Sequence, residues 1–521
     1  MGAATAPTRP DAAGSRVRGA PAGSRSRWRV AGAVVVAVVL AAAVVLRFIA
    51  PTALWLDEAQ SVAIARSDLP GLYRGLRADG APPLYYVLLH GWTAVAGQGA
   101  FAVRALSGLF GVAALPVAYV LGTQLGGRRA GWALVLLLAT NPFAIRYSSE
   151  TRMYSLVVLL VLLALLAAGW VWRRPGPLPV AALAVATAAL LYTHYWALYV
   201  AGVGGLLALA ALRVDRRRAL RLLVGLVVAG VALVPWVPTM LWQAAHTGSP
   251  WAVPGGLRAL PGALEGWQGG GHVRAVLLGW LLLALAAVAV ATVPEGPVVR
   301  LGLTPDRRRW ALVALSAGTL VVAGLASLVT SSAVVARYSS VALPAFLALV
   351  ALGVTGLPGR RGRVVALGLC IAGGLATAVP AADAPRTQAA QVAAALRGAA
   401  PGDVVAFCPD QLGPAVARLA PAGLDLVVYP DLRPADRVDW TDYAQRNGAA
   451  DPAAVAAAVS ARAGAHAVYV VTGIGFRVPS DRTCTQFRTA LAELRGTPVE
   501  VVARNRPPRD MRMHRFGPVV G

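Results

Sequence analysis

Runs of about twenty apolar residues, each long enough to cross a bilayer, alternate with short clusters of arginine along most of this chain. That alternation decides what the chain can become. The first run, Val30 to Leu46, reads VAGAVVVAVVLAAAVVL, and others follow to about residue 381. Arginines gather at Arg16–Arg29, Arg128–Arg129, Arg173–Arg174, Arg213–Arg221, Arg300–Arg309 and Arg360–Arg363, each cluster bordering the runs. Charged residues make up only 14% of the chain, against about 25% in a soluble domain. The chain is therefore built for lipid. A net charge of +25 would suit a nucleic-acid partner if it formed one basic face. Divided among loops, it is the cation bias that holds loops in the cytoplasm, and no nucleic-acid partner is expected.

Threading spans between these clusters predicts a polytopic α-helical membrane protein with about eleven helices of ~20 residues. They fall near 29–49, 102–123, 130–146, 153–172, 177–193, 196–212, 220–241, 273–293, 310–330, 337–357 and 364–381. Starting inside, every arginine cluster lands on the cytoplasmic face. The N-terminus is then cytoplasmic and the tail after residue 382 extracytoplasmic in a multi-pass protein of the cell membrane. Residues 1–27, rich in Pro, Gly, Ala and Arg, read as a disordered tail. A cleaved signal peptide is the competing reading, but the Val30–Leu46 run is long for a signal core and favours an uncleaved anchor.

Residues 28–382 thus form a transmembrane domain, and 383–521 differ in kind. There, strand-length runs at 403–407, 424–429, 466–472 and 499–504 alternate with helical patterns at 386–398, 411–420, 452–463 and 484–495, which predicts a small extracytoplasmic α/β domain. No glycine-rich phosphate loop opens any of its helices. Cys370 falls in an expected span. Cys408 and Cys484 both fall in the tail, where their spacing allows a disulfide without establishing one.

Polar groups collect on one side of the expected bundle. The first outer loop, 50–101, contains LWLDEAQS, an amphipathic stretch over Val62–Leu76 that Pro70 is expected to break, and APPLYYVLLHGW at 81–92 as a surface segment or re-entrant helix. The next outer turns read RYSSETRMYSL, YTHYWALY, a Gly- and Trp-rich stretch at 243–272, and SSAVVARYSSVALP. Asp57 and Glu58 are adjacent carboxylates at a membrane boundary, where dehydration is costly. A part-buried carboxylate there suits a general base; a helix N-cap is the plainer account. Glu150 alone is a surface acid beside Arg152. His194 and Tyr195 alone are interfacial side chains, and Arg337 alone a snorkelling cation. Together these acids and cations, with Tyr85, Tyr154 and Tyr338, can build a site for a phosphorylated lipid, since arginine clamps phosphate through charge-assisted pairs.

In order and spacing, LWLDE, PPLYYVLLHGW, GRRAGWALVLLLATNPFAIRYSSETRMYSL, LYTHYWALY and ARYSSVALP resemble the bacterial members of the GT-C glycosyltransferase superfamily. They are similar in particular to the protein O-mannosyltransferase and aminoarabinose-transferase-like group, over roughly residues 30–360. The resemblance implies a GT-C-like fold and inverting transfer from a polyprenyl-phosphate-linked sugar on the extracytoplasmic face. It implies Asp57 as base, Glu58 and Glu150 as supporting acids, and Arg337, then Arg152, as partners of the leaving phosphate. Tyr85, Tyr154, His194, Tyr195 and Tyr338 are expected to line the cleft. The family leaves room for a divalent cation, for which Asp57, Glu58, Glu150 and His194 offer ligands. A cell-envelope glycan or lipid is the expected acceptor, with a secreted protein as runner-up. The alternatives are a transporter or lipid flippase, which favours charges within spans and internal repeats, and a membrane scaffold presenting the tail, which leaves the loop acids unexplained.

Overall fold

The computed structural model describes residues 22–174, 176–248, 256–295, 298–330, 334–503 and 511–518. Residues 1–21 of the expected tail, the stretch around Trp251 and the start of the Arg337 loop at 331–333 lie outside the described residues. Two compact units divide the chain, Met1–Ala42 and Ala43–Gly521. In the first, the described residues belong to the helix Ala22–Leu46, which starts ahead of the expected tail boundary at residue 27.

Among the described residues, six helices are long and apolar enough to cross a membrane: Ala100–Thr140, Tyr154–Arg173, Arg216–His246, Val273–Ala291, Arg307–Thr330 and Arg360–Asp383. Val30–Leu46, Leu84–Ala96, Pro177–Leu191, Ala197–Ala211 and Leu343–Gly356 are apolar but shorter. The expected spans 102–123 and 130–146 are limbs of one run, Ala100–Thr140, which leaves helical geometry at Gly126 and Gly127. Gly127 takes φ 78°, a conformation open to glycine at little cost. The second limb doubles back so closely that a Cβ on Gly122 would sit 2.7 Å from the Ala130 carbonyl oxygen.

That second limb stops at Thr140, short of the expected end at 146. Asn141 is extended, as a residue before proline prefers, and its side chain accepts a hydrogen bond from Ala144 N–H to cap a separate helix, Pro142–Ser148. This break turns Arg146 and Glu150 away from the span and into the site described below. The first loop divides into two short helices, as expected. Pro70 occupies the first turn of the second, Leu69–Asp79, where its missing N–H costs nothing, behind an Asp68 cap. The preceding helix is Leu56–Ala65, and it carries Asp57 and Glu58.

An antiparallel hairpin, β1 (Thr292–Glu295) and β2 (Val298–Leu301), follows the helix Val273–Ala291. Beyond Asp383 lie β3 (Val404–Cys408), β4 (Asp425–Val428), β5 (Arg433–Pro434), β6 (Val468–Gly473), β7 (Val499–Val502) and β8 (Met511–Phe516), in one sheet of order β5-β4-β3-β6-β8-β7. β3 runs parallel to β4 and β6, whereas β8 is antiparallel to β6 and β7. Every residue of β3 is buried, as a central parallel strand requires. Val459 from the helix Pro452–Ala463 and Phe487 and Leu491 from the helix Asp481–Arg495 pack with Val404, Val468 and Val470. Cys408 and Cys484 are disulfide-bonded. The sheet belongs to the same compact unit as the helices from Ala43 onward, and one join is specific. Gln60 donates to the Val438 carbonyl and accepts from Val438 N–H, both at 2.8 Å.

Candidate active site

Glu58 is fully buried, and both of its oxygens are taken. Arg104 grips it with two parallel bonds, Nε to Oε1 at 2.7 Å and Nη2 to Oε2 at 2.6 Å. Thr151 N–H donates to Oε1 at 3.0 Å and Trp55 N–H to Oε2 at 3.3 Å. Arg104 also donates to the carbonyls of Ala50, Thr52 and Ala53. Three segments far apart in sequence are thereby locked together: the LWLDE turn, the start of the helix Ala100–Thr140 and the SSETR turn. The expectation that Glu58 acts on substrate or ligates a cation meets a carboxylate with no oxygen to spare.

One residue earlier the chemistry differs. Asp57 is 15% exposed, and its nearest cationic partner is Arg337, Nη2 to Oδ2 at 3.5 Å, too far for a hydrogen bond of full strength. Oδ2 is buried with no hydrogen-bond partner. Arg152 ties the same helix to the next, donating to Ser61 Oγ at 3.1 Å and to Tyr86 OH of the helix Leu84–Ala96 at 3.2 Å. Tyr86 in turn donates to Asp79 Oδ2 at 2.8 Å. Glu150 is buried with both oxygens lacking hydrogen bonds; Arg146, one turn earlier, lies 3.5 Å away. Burial pushes the Glu150 carboxyl up, opposed by Arg146 and reinforced by Glu58. Asp79 is likewise raised by burial, against the pull of Arg152.

Aromatic rings form one wall. Tyr147 meets Tyr154 at 4.9 Å between ring centroids, Tyr154 meets His194 at 5.9 Å, and Tyr338 meets both His194 and Trp196 edge-on at 5.0 and 5.7 Å. The Tyr154 hydroxyl is buried without a partner. Burial, with Arg152 and Arg337 adding to it, depresses His194 to about 3, so the ring is neutral at ordinary pH. Its Nδ1 accepts from Trp196 N–H at 3.1 Å, which leaves the proton on Nε2.

Two expected cleft residues sit elsewhere. Tyr85 is fully buried, its hydroxyl bonded to Ser107 Oγ at 2.9 Å. Ser107 donates to the Arg152 carbonyl, so Tyr85 supports the turn from below. Adjacent helical residues point about 100° apart, and the neighbouring Tyr86 is the one that meets Arg152. Tyr195 bonds Gln243 and accepts from Trp236 Nε1 at 3.0 Å. Its hydroxyl is fixed to the helix Val237–His246, apart from the acids.

Arg104, Arg146, Arg152, Arg337 and Arg386 face Asp57, Glu58, Asp79 and Glu150, five cations against four carboxyls. With Glu150 and Asp79 biased toward protonation, the surplus is positive and suits an anion. Among the described residues no three His, Cys, Asp or Glu side chains converge as a metal site. Glu58 is consumed by Arg104, and His194 Nδ1 is engaged. Sequence reading missed Arg104, Arg146, Asp79, Tyr86 and Arg386. A lone cation at the head of an apolar run marked Arg104, and i,i+4 spacing to Glu150 marked Arg146. Arg386, which bonds the carbonyl and hydroxyl of Ser149 at 2.7 Å, gave no local signal.

No family model and no curated protein matches the chain. Among solved structures it is similar to ArnT from Cupriavidus metallidurans in the apo state, with 14% identity, 94% of this chain and 98% of that chain covered, and a TM-score of 0.48. It is similar to the Archaeoglobus fulgidus oligosaccharyltransferase, with 11% identity, 83% and 67% covered, and a TM-score of 0.48. It is also similar to the mycobacterial arabinofuranosyltransferase AftD, with 16% identity, 92% and 41% covered, and a TM-score of 0.49.

Proposed function

We propose that the chain is a membrane glycosyltransferase. It moves a sugar from a polyprenyl-phosphate-linked donor to a hydroxyl of a cell-envelope acceptor, with inversion, on the extracytoplasmic face. The observation that carries this reading is the unequal pair on one helix: Glu58 saturated by Arg104, and Asp57 part-buried with an oxygen unbonded beside Arg337. Asp57 takes the proton of the acceptor hydroxyl as its oxygen bonds to the anomeric carbon. The bond from that carbon to the phosphate oxygen breaks, and its electron pair leaves with the lipid phosphate. Arg337 and Arg146, each with a guanidinium not saturated by its carboxylate, stabilise the charge that develops there.

Glu150, held toward its protonated form by burial, donates a hydrogen bond to a substrate oxygen, and the tyrosine wall stacks on the sugar. Glu58 is a positioning residue that fixes the helix on which Asp57 stands. The motif order quoted above supports the donor class. The Cys408–Cys484 disulfide supports an oxidising, extracytoplasmic setting for the tail and hence a cytoplasmic N-terminus. The test offers membranes containing the full chain a panel of labelled polyprenyl-phosphate sugars together with envelope acceptor fractions. Label incorporation by wild type and at least a hundredfold less by Asp57→Asn is expected, the lower end of about 10²–10⁴ for a general base; equal incorporation by both removes the assigned base.

A further inference from the structure

A cavity of about 750 Å³ opens among the helices Tyr154–Arg173, Pro177–Leu191, Ala197–Ala211 and Arg216–Leu233 and the start of Arg307–Thr330. Its size lies within the range of about 300–1,000 Å³ typical of ligand sites. Val161, Leu190 and Val200 line its deep end. Trp172, Arg213 and Arg307 line its mouth. Tyr154, in the aromatic wall, and Trp172, at the mouth, stand at opposite ends of one helix. Eighteen residues at 1.5 Å each separate them by about 27 Å, close to the thickness of a hydrocarbon core. The mouth therefore opens at the membrane face opposite the acid–arginine cluster.

Such a space has no use for water, because almost all of its lining is hydrocarbon, and the solvent around it is lipid. Arg308 is held by Asp306 through Nε at 3.0 Å and Nη2 at 3.1 Å, and Asp215 is occupied in capping Arg218 N–H and pairing with the Arg218 side chain. Arg213 and Arg307 are exposed, and among the described residues neither pairs with a carboxylate. Two further features mark the cavity as built. Leu315 of its lining lies in a π-helical turn, Ala314–Gly318, of the kind that recurs at functional positions. Gly204, also on the lining, would meet nothing within 4 Å if given a Cβ.

We propose that this cavity binds an acidic phospholipid of the arginine-rich leaflet, with its acyl chains among the five helices and its phosphate on Arg213 and Arg307. The site is separate from sugar transfer and does not depend on that reading. A donor whose phosphate reacts at Asp57 cannot also place it at this mouth.

The test is native mass spectrometry of the delipidated full chain in detergent, titrated with phosphatidylglycerol or phosphatidylcholine. Wild type is expected to retain one phosphatidylglycerol with at least a tenfold preference. Arg213→Gln with Arg307→Gln should erase the preference, and Gly204→Trp, which intrudes into the cavity, should weaken retention of either lipid at least tenfold. Equal retention of the two lipids by wild type overturns the proposal. So does unchanged retention by Gly204→Trp, or one-for-one displacement by polyprenyl phosphate at lower concentration. Should Gly204→Trp fail to fold, the double arginine variant decides alone.

Discussion

Asp57 and Glu58 are chain neighbours of the same chemistry, yet they face regions with opposite logic. On the Glu58 side the carboxylate is saturated: two guanidinium bonds and two backbone N–H groups converge on it. On the Asp57 side the groups are charged, crowded and under-bonded, with Asp57 Oδ2, both oxygens of Glu150, the Tyr154 hydroxyl and the Nε atoms of Arg152 and Arg337 all lacking partners. Buried polar atoms left unpaired cost roughly 1–3 kcal/mol each. Six such atoms lie together beside one saturated carboxylate. In the proposed reading the saturated side sets the geometry, and the bare side does the chemistry.

This contrast can be broken by experiment. The largest effect is expected at Asp57: replacement by Asn should lower transfer by about 10²–10⁴-fold, the range of general base catalysis, while the unfolding midpoint stays within a degree or two of wild type. A matching loss of stability would place Asp57 on the structural side after all. Arg104→Met is the mirror experiment. It strands a buried carboxylate, so stability should fall by roughly 3–5 kcal/mol, read as a shift in thermal or denaturant unfolding in detergent; an unshifted transition contradicts the brace.

Arg337→Ala should weaken donor use by about 10–100-fold, the worth of a charge-assisted contact of roughly 1.5–3 kcal/mol, with the acceptor KM unmoved. An equal loss for donor and acceptor would sever Arg337 from the phosphate.

A third carboxyl sharpens the comparison from outside the site. Asp410 is buried and accepts from Tyr443, and burial pushes it up to about 7 against the pull of Tyr443 and Arg446. Between the ordinary aspartate value near 4 and about 7 the folded chain binds more protons than the unfolded one, so stability falls as pH rises through that window. Asp410→Asn should flatten this slope in unfolding curves taken from pH 4 to 8. A slope that survives the substitution assigns it to another group.

How far the chain could be read in advance follows from the range of the forces involved. Spans are legible because twenty consecutive apolar residues state their own burial, and the helices Tyr154–Arg173 and Val273–Ala291 lie within two residues of expectation. The cluster was legible as a set of loop motifs: Asp57, Glu150, Arg152, Tyr154, His194, Arg337 and Tyr338 stand together in the fold. Pairing was not legible. Arg104 and Glu58 are 46 positions apart, and no local pattern tells a saturated carboxylate from its free neighbour. Helical phase was lost too, which is why Tyr85 was preferred over Tyr86 and Tyr195 was placed with His194. In the tail, β8 went unseen because MRMHRF shows only weak alternation; its burial is decided by β6 and β7 on either side.

The Gln60–Val438 pairing, two hydrogen bonds across 378 positions, bears on how the protein is made. A ribosome finishes every charged group around Asp57 well before residue 438 emerges, yet the helix carrying that aspartate lacks its last anchor until then. In the proposed reading, a half-synthesised chain holds its reactive parts and remains idle until the segment that carries Val438 has folded.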